Sequence, residues 1–452
     1  MSGSVAARIA EDFAATADAD SARRLAMEAL ATRGLPTARD ENWKYVSLRP
    51  LEKVRFAPAG ASESAAPGAN VLPLPVAGYS RYVFVDGRFS QALSSSQPCR
   101  GVTIESMTAA SATASSLAAA EAAPDMRFAL LNAAFATDGA SITVEPNSRS
   151  ACVELVFVAT TDSSHGASYP RVDVRVGSGS HLGLIERHVS AGGSANFVNS
   201  AVEIVLEESS RTDHYRVQQL GSRAIWFDSL AAKLAQRAGY HVHAVNLGAQ
   251  SARSTMHVRL EGEHAEVNFL GASVGDRNQV QDTFALIEHI APNSRTHQIF
   301  RGIAGGRARV ACNGKIIVHA GAHGTDSRQS LRGLLAGKDA EIDVRPQLEI
   351  YTDDVKCSHG ATAGKLDDNM LFYLLSRGLD RETAQRLLKW AFLEDVVSRV
   401  QVPELRRQIE HGLAGHLGDT ADLAEAPDTA TVPANAPGPQ NDIAQAGPAN
   451  WS

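Results

Sequence analysis

Short runs of alternating apolar and polar residues recur roughly every ten to twelve positions between residues 140 and 360, as in RVDVRV, HLGLIE, AVEIVL and MHVRLEG. Alternation with a period of two is typical of strands that bury one face. No convincing long amphipathic helix interrupts the runs, and only the stretch at 230–238 is ambiguous. More than two hundred residues of this pattern exceed one ordinary sandwich domain. A double sandwich, a barrel and a β-solenoid therefore all stay open.

Helical periodicity flanks the β region on both sides. Apolar residues at helical spacing predict two helices within 4–34, and an Ala-, Pro- and Gly-rich segment at 57–80 predicts a linker. Asp380 is a predicted N-cap, a final helix is predicted after Pro403, and the apolar stripes of both helices are expected to pack on the β region. The predicted divisions are an N-terminal mainly helical region with linker (1–139), a β core (140–364), a C-terminal helical domain (365–417) and a disordered tail (418–452).

The stretch 348–378, LEIYTDDVKCSHGATAGKLDDNMLFYLLSRG, joins the last predicted strand to the C-terminal helices. If 353–359 is extended, Cys357 and His359 point to the same face. Thiolate and imidazole both bind iron, and thiolate is the usual ligand of iron-sulfur clusters. A cluster needs about four ligands, so this pair cannot complete a coordination shell without a second chain. The structural alternative is a buried thiol that fills space and a hydrogen-bonded histidine.

The same stretch resembles the C-terminal signature of the SufB/SufD family of iron-sulfur cluster assembly scaffolds, and in particular its SufD branch. The matching strings are RPQLEI (345–350), DDVKCSHGAT (353–362) and LFYLLSRG (371–378), with FALLNAAFATDG (128–139), HIAPNSRTHQIFRG (289–302) and ENWKY (41–45) upstream. The resemblance covers nearly the whole chain except its extreme C-terminus. It implies a mainly β fold, a right-handed parallel β-helix (solenoid) flanked by N-terminal and C-terminal α-helical regions.

The resemblance also implies a function. The chain is expected to be a non-enzymatic scaffold subunit of a SufBCD-like complex, where it helps iron acquisition and cluster formation at the interface with a SufB-type paralogue. His359 and Cys357 are the implied ligands of iron or a nascent cluster shared with that partner. ATP hydrolysis is expected on a SufC-type ABC ATPase docked on the C-terminal helices, and sulfur is expected from a cysteine desulfurase system. A reduced flavin in the complex stays open.

Two alternatives are weaker. A SufB-like core scaffold acting as a homodimer would carry a glutamate directly after the matching histidine, whereas this chain has Gly360. A β-helix enzyme acting on carbohydrate normally has an export signal, and the N-terminus here lacks a basic segment followed by an apolar one. The chain also lacks a Walker A, HExxH or GxSxG motif, so no ATP site or hydrolytic site is predicted.

Charge and cysteine content fit a protein of the cytoplasm. The net charge of −7 without a lysine and arginine cluster argues against nucleic acid and anionic membranes as partners, and no apolar window is long enough to span a bilayer. The four cysteines are widely separated, which suits a reducing compartment. Among the other candidates, Cys312 is expected to be a buried thiol, Trp43 a packing residue, and His241 and His243 exposed or hydrogen-bonded strand histidines rather than metal ligands.

Overall fold

A computed structural model describes residues 5–16, 19–37, 39–58, 67–68, 71–95, 99–107, 109–160 and 165–417. The helices are α1 (Val5–Ala14), α2 (Ser21–Arg33), α3 (Arg49–Lys53), α4 (Ala109–Ala122), α5 (Arg127–Phe135), α6 (Asp368–Ser376), α7 (Arg381–Val397) and α8 (Pro403–Leu417). The strands are β1 (Ala57–Pro58), β2 (Ser80–Val85), β3 (Arg88–Phe89), β4 (Val102–Ser106), β5 (Ala140–Val144), β6 (Ala151–Ala159), β7 (Gly166–Ser168), β8 (Arg171–Val176), β9 (His181–Ser190), β10 (Phe197–Leu206), β11 (Arg211–Gln219), β12 (Ile225–Leu234), β13 (Gly239–Asn246), β14 (Ser251–Leu260), β15 (Glu266–Gly275), β16 (Val280–His289), β17 (Arg295–Ala304), β18 (Arg309–Val318), β19 (Thr325–Leu335), β20 (Glu341–Ile350) and β21 (Val355–Lys365).

The strands form two sheets that wind around a common interior. One sheet has the order β20-β18-β16-β14-β12-β10-β8-β5-β4, and the other has the order β21-β19-β17-β15-β13-β11-β9-β6-β2-β3. From β8 onward each strand pairs in parallel with the strand two places later, so every turn gives one strand to each sheet. The result is a β-solenoid of about seven turns with helices at both ends. The predicted β-helix class is confirmed, and the ambiguous stretch at 230–238 is the end of β12 and the corner after it.

The predicted division of the chain into domains stays a prediction. Strands β2 and β4, which precede residue 139, extend the ends of the two sheets. The predicted tail at 418–452 and most of the linker between 59 and 70 lie outside the described residues.

One corner of the solenoid repeats the same backbone conformation from turn to turn. The five corner residues have left-handed φ values between 55° and 70°: Ser209, Arg237, His264, Asn293 and Gly324. Such a conformation costs a non-glycine residue roughly 1 kcal/mol. The backbone N–H of each of these residues donates to a carbonyl of the following corner at 2.7–3.3 Å. These bonds offset the strain and continue the stacking of the strands through the corner.

Helices cover the outer faces of both sheets. Trp43 is buried on the outer side of the first sheet, with ring centroids 5.4 Å from Phe128 of α5 and 6.1 Å from Phe227 of β12, which confirms its packing role. On the other sheet, α7 and α8 bury apolar side chains such as Leu393 and Ile409 against β13 and β15. The predicted packing of both apolar stripes is confirmed. None of the helices in the described ranges has the length and apolarity that a membrane span requires.

Candidate functional site

The solenoid ends at two strands that each lack a neighbour on one side. β20 pairs only with β18, and β21 pairs only with β19, among the strands of the described residues. Within β21 every side chain from Ser358 to Lys365 is exposed, and only Val355 and Cys357 are half-buried. The last turn therefore presents two unpaired backbone edges and part of its interior at one open end.

Cys357 and His359 lie on β21 at this open end, on the face that is directed into the solenoid. In the register with β19, Cys357 is opposite Ser327 and His359 is opposite Gln329, and both partners are buried. Cys357 packs against the main apolar core, whereas His359 is exposed. The structure thus brings the two predicted ligands to one face, with the thiol farther inside and the imidazole at the mouth.

The environment of Cys357 favours the neutral thiol. Burial raises the pKa of the Cys357 thiol, the nearby Asp326 carboxylate raises it further, and a hydrogen bond from the Ser327 backbone lowers it in part. A metal that binds this sulfur would therefore displace a proton.

The extended stretch is shorter than the predicted 353–359, because β21 begins at Val355 and Asp353 lies in a bend before it.

Two ligands are too few for a cluster or for tetrahedral iron. No group of three or more His, Cys, Asp or Glu side chains within the described ranges is placed to hold a metal ion. Cys357 and His359 supply one sulfur and one nitrogen, and a tetrahedral iron needs two further ligands. Within the described residues, this pair alone does not complete a coordination shell.

A second constellation, inside the middle of the solenoid, was missed from the sequence. Glu186 Oε1 lies 2.6 Å from His188 Nε2 and accepts a hydrogen bond from Arg216 Nη2 at 2.7 Å. Arg216 also donates to both oxygens of Asp228 at 2.7 and 2.8 Å. All four side chains are buried. Each of them lies at a position whose side chain points into the solenoid, as that of Leu184 does. The alternation of inward and outward positions along the strands is the sequence signal that could have identified them.

The charged side chains of this interior network interact mainly with one another. Burial acts to raise the pKa of Glu186, but the Arg216 guanidinium and hydrogen bonds from His188 and His214 outweigh it and hold that pKa well below its usual range. Burial lowers the pKa of His214, against the opposing effect of Glu186. One guanidinium thus faces two carboxylates, and the histidines complete their hydrogen bonding. The arrangement stabilises charge and leaves no open coordination position.

The other candidates have structural partners. His241 lies between Asp213 and Glu266 at 3.3 and 3.4 Å, as the hydrogen-bonded interpretation predicts. His243 differs, because it is buried against Tyr215 with ring centroids 5.1 Å apart, and burial lowers its pKa to about 4. Cys312 is fully buried, which confirms the prediction of a buried thiol. Burial raises the pKa of this thiol well above its usual value.

An exposed apolar surface lies directly after the site on α6. Asp367 caps this helix by accepting hydrogen bonds from the backbone N–H of Asn369 at 2.8 Å and of Met370 at 3.1 Å. Met370, Phe372 and Tyr373 are 59, 72 and 56 % exposed. We call these three residues the α6 patch. Met370 and Tyr373 are three positions apart and are therefore neighbours on the helix surface, whereas Phe372 projects from a different side of α6.

The SufBD core domain of SUF-system FeS cluster assembly matches residues 157–392, which include the open end, the α6 patch and most of the solenoid. The chain belongs to the SufB/SufD family. It is 30% identical to the iron-sulfur cluster assembly protein SufD of Escherichia coli over 85% of this chain and 89% of that protein. It is 28% identical to the iron-sulfur cluster assembly SufBD family protein slr0076 of Synechocystis, over 86% of this chain and 88% of that protein.

These matches identify the chain as a member of the SufD branch of a scaffold family for iron-sulfur cluster assembly. The structure shows a β-solenoid, and Cys357 and His359 lie at one end of it.

Proposed function

We propose that the chain is the SufD-type subunit of a SufBCD-like complex, and that iron is acquired and a cluster formed where its open end meets a SufB-type paralogue. The observation that carries this proposal is the position of Cys357 and His359 on β21, which is the last strand of its sheet and has one edge unpaired among the described residues, and on the face of that strand that is directed into the solenoid. Iron is cargo in this proposal, so the chain itself catalyses no reaction.

The open end has the features of an interface between two solenoids. An unpaired strand edge offers backbone N–H and C=O groups to another chain. Apolar side chains at this end are only partly covered, and Ile350 and Tyr351 are 40 and 62 % exposed. A second solenoid stacked on the end would pair both edges and cover these side chains. A homodimer of this chain is the alternative occupant.

The chemistry of the two side chains supports a shared iron site. The exposed imidazole of His359 can bind ferrous iron without a change in the fold, and the half-buried thiol of Cys357 lies deeper on the same face. The paralogue would supply the ligands that complete the shell. We therefore assign His359 the larger effect on cluster formation and Cys357 the smaller one.

The remaining partners follow from the resemblance and from the α6 patch. The SufC-type ABC ATPase is proposed to dock on this patch, because it is exposed, apolar and adjacent in the chain to the site. Sulfur is proposed to come from a cysteine desulfurase system. A reduced flavin and a cytoplasmic location remain expectations from the sequence.

The test is His359→Ala in the complex co-expressed anaerobically with the SufB-type and SufC-type chains. We expect a complex of normal mass, measured by light scattering, with iron and sulfide reduced at least tenfold. The matched control is His323→Ala, because His323 is an exposed histidine in the corner before β19. Wild-type iron and sulfide in the His359→Ala complex would overturn the proposed site. Failure of that variant to assemble would make His359 structural.

A further inference from the structure

Two buried glutamines lie directly behind His359 in the solenoid. Gln329 of β19 is the in-register neighbour of His359, and Gln298 of β17 is the in-register neighbour of Gln329. Both glutamines are at most 5 % exposed. In-register residues of parallel strands lie about 4.8 Å apart and point to the same side. The three side chains therefore form one row that ends at the open mouth.

The hydrogen bonds of this row leave one acceptor unused. Gln329 Nε2 donates to Gln298 Oε1 at 2.8 Å and to the backbone carbonyl of Gly314 at 3.0 Å. A backbone carbonyl can only accept, so the second bond fixes which end of the Gln329 carboxamide is nitrogen. Gln329 Oε1 is buried and has no hydrogen-bond partner among the described residues. An unsatisfied buried acceptor costs about 1–3 kcal/mol.

The opposite sheet is shaped to admit these two amides. A Cβ added to Gly314 of β18 would lie 2.6 Å from Gln298 Oε1 and 2.9 Å from Gln329 Nε2. Any larger residue at this position would displace the pair. The two glutamines thus require a residue without a side chain at position 314. The last two turns are therefore packed to accommodate the row of side chains behind His359.

We propose that Gln329 is a positioning residue for His359. Its free Oε1 accepts a hydrogen bond from one ring N–H of His359 when the exposed imidazole turns toward the interior. That bond selects one neutral tautomer and leaves the other ring nitrogen to bind iron, as outer hydrogen bonds do for metal-binding histidines in general. The inference rests on the proposed role of His359 as an iron ligand.

The arrangement distinguishes Gln329 from an ordinary core glutamine. Gln281 of β16 is equally buried, donates to the Gly248 carbonyl, and also has an Oε1 without a partner in the described part of the chain. Gln281, however, lies on the other sheet in a column that contains no predicted ligand. It is therefore a matched control for the loss of one buried carboxamide.

The experiment compares wild type, Gln329→Met and Gln281→Met as full chains labelled with ¹⁵N-histidine and kept free of iron. Long-range ¹H–¹⁵N correlations report the tautomer of His359, whose signal is assigned by its loss in His359→Ala. We expect one dominant neutral tautomer in wild type and in Gln281→Met, and a mixture in Gln329→Met. Ferrous iron binding by the anaerobic complex should weaken roughly 10- to 100-fold in Gln329→Met alone.

The outcomes separate this inference from the proposed function. An unchanged His359 tautomer in Gln329→Met, or an equal change in Gln281→Met, would overturn the positioning role. A tautomer change specific to Gln329→Met would support it. If that change occurs while His359→Ala complexes keep wild-type iron, Gln329 positions His359 but the proposed iron site is wrong. Thermal melting of both variants verifies that each remains folded.

Discussion

His214 and His359 occupy the same inward-facing column of the solenoid, yet their surroundings are opposite. The column runs through His214, Val242, Phe269, Gln298, Gln329 and His359. His214 is fully buried, with Nε2 3.2 Å from Glu186 Oε2 and Nδ1 2.9 Å from Tyr240 Oη. His359 is exposed on the final strand and has no hydrogen-bond partner among the described residues.

The comparison shows that residue type and face do not define a binding site. In the middle of the solenoid, the turns before and after a polar side chain supply its partners. At the open end only one neighbouring turn exists, so a side chain of the same type stays exposed and does not find these partners within the chain.

Asp228→Ala should break the interior network most severely. It removes both hydrogen bonds from Arg216 and leaves that guanidinium with only Glu186, and it removes the acceptor of Ser200 Oγ at 2.8 Å. Losing one partner of a buried ion pair costs about 3–5 kcal/mol. Urea denaturation should show this loss. The control Asp339→Ala, at an exposed turn residue, should change the free energy of unfolding by less than about 0.5 kcal/mol. A loss below about 1 kcal/mol for Asp228→Ala would contradict the importance of the network.

An ion cluster on the outer face should respond to pH. Glu288 lies 2.6 Å from His257 Nε2 and 2.7 Å from His319 Nε2. The hydrogen bond from His257 and that from His319 lower the pKa of Glu288 to about 2, against the opposing effect of burial. Because the folded pKa lies below the ordinary value of 4.5, its stabilisation is present above pH 4.5 and is lost as the pH falls toward about 2. The loss is at most about 3 kcal/mol.

Glu288→Gln should therefore be less stable than wild type at pH 6 and should lose less stability between pH 4.5 and 2.5. Urea midpoints at several pH values measure both effects. Parallel pH profiles for the two proteins would exclude the assigned contribution of Glu288.

His214→Ala and His359→Ala should have opposite consequences. His214→Ala removes a buried donor to Glu186 and leaves a cavity, so we expect a loss of about 2 kcal/mol in stability. The folded fraction should still assemble and keep its iron and sulfide. His359→Ala should change the unfolding free energy by less than about 0.5 kcal/mol but lose its iron and sulfide. Calorimetry with iron and sulfide analysis of both complexes tests the contrast, and it fails if the two variants behave alike.

The sequence predicted which face of a strand is buried better than it predicted which strand lies beside it. Alternation in RVDVRV identifies a strand with one buried face, but it does not say which strand lies beside it. In this fold the partner lies about thirty residues away, as for Val202 beside Leu230, so the alternation alone left sandwich, barrel and solenoid open. Among these three folds, only the resemblance to the SufB/SufD family favours the solenoid.

The candidate site was predictable because its residues are neighbours in the chain. Cys357 and His359 lie two positions apart, so the parity of one strand was enough to bring them together. Glu186, Arg216 and Asp228 lie on three strands and meet only through the coiling of the chain. Gln329 was missed for the same reason, because its position behind His359 depends on the register between β19 and β21.

The α6 patch gives the smallest expected effect on stability. Phe372→Asp replaces a side chain that is 72 % exposed, so it should change the free energy of unfolding by less than about 0.5 kcal/mol. If the SufC-type ATPase docks on this patch, the charge should abolish its co-purification while pairing with the SufB-type chain persists. Leu25→Asp is the control, because Leu25 is 49 % exposed and lies on α2, outside the C-terminal helices. Retention of the ATPase by Phe372→Asp, or its loss from both variants, would remove α6 as the docking surface. Loss from Phe372→Asp alone would support α6 as a surface that, like the open end of the solenoid, is exposed because it binds another chain.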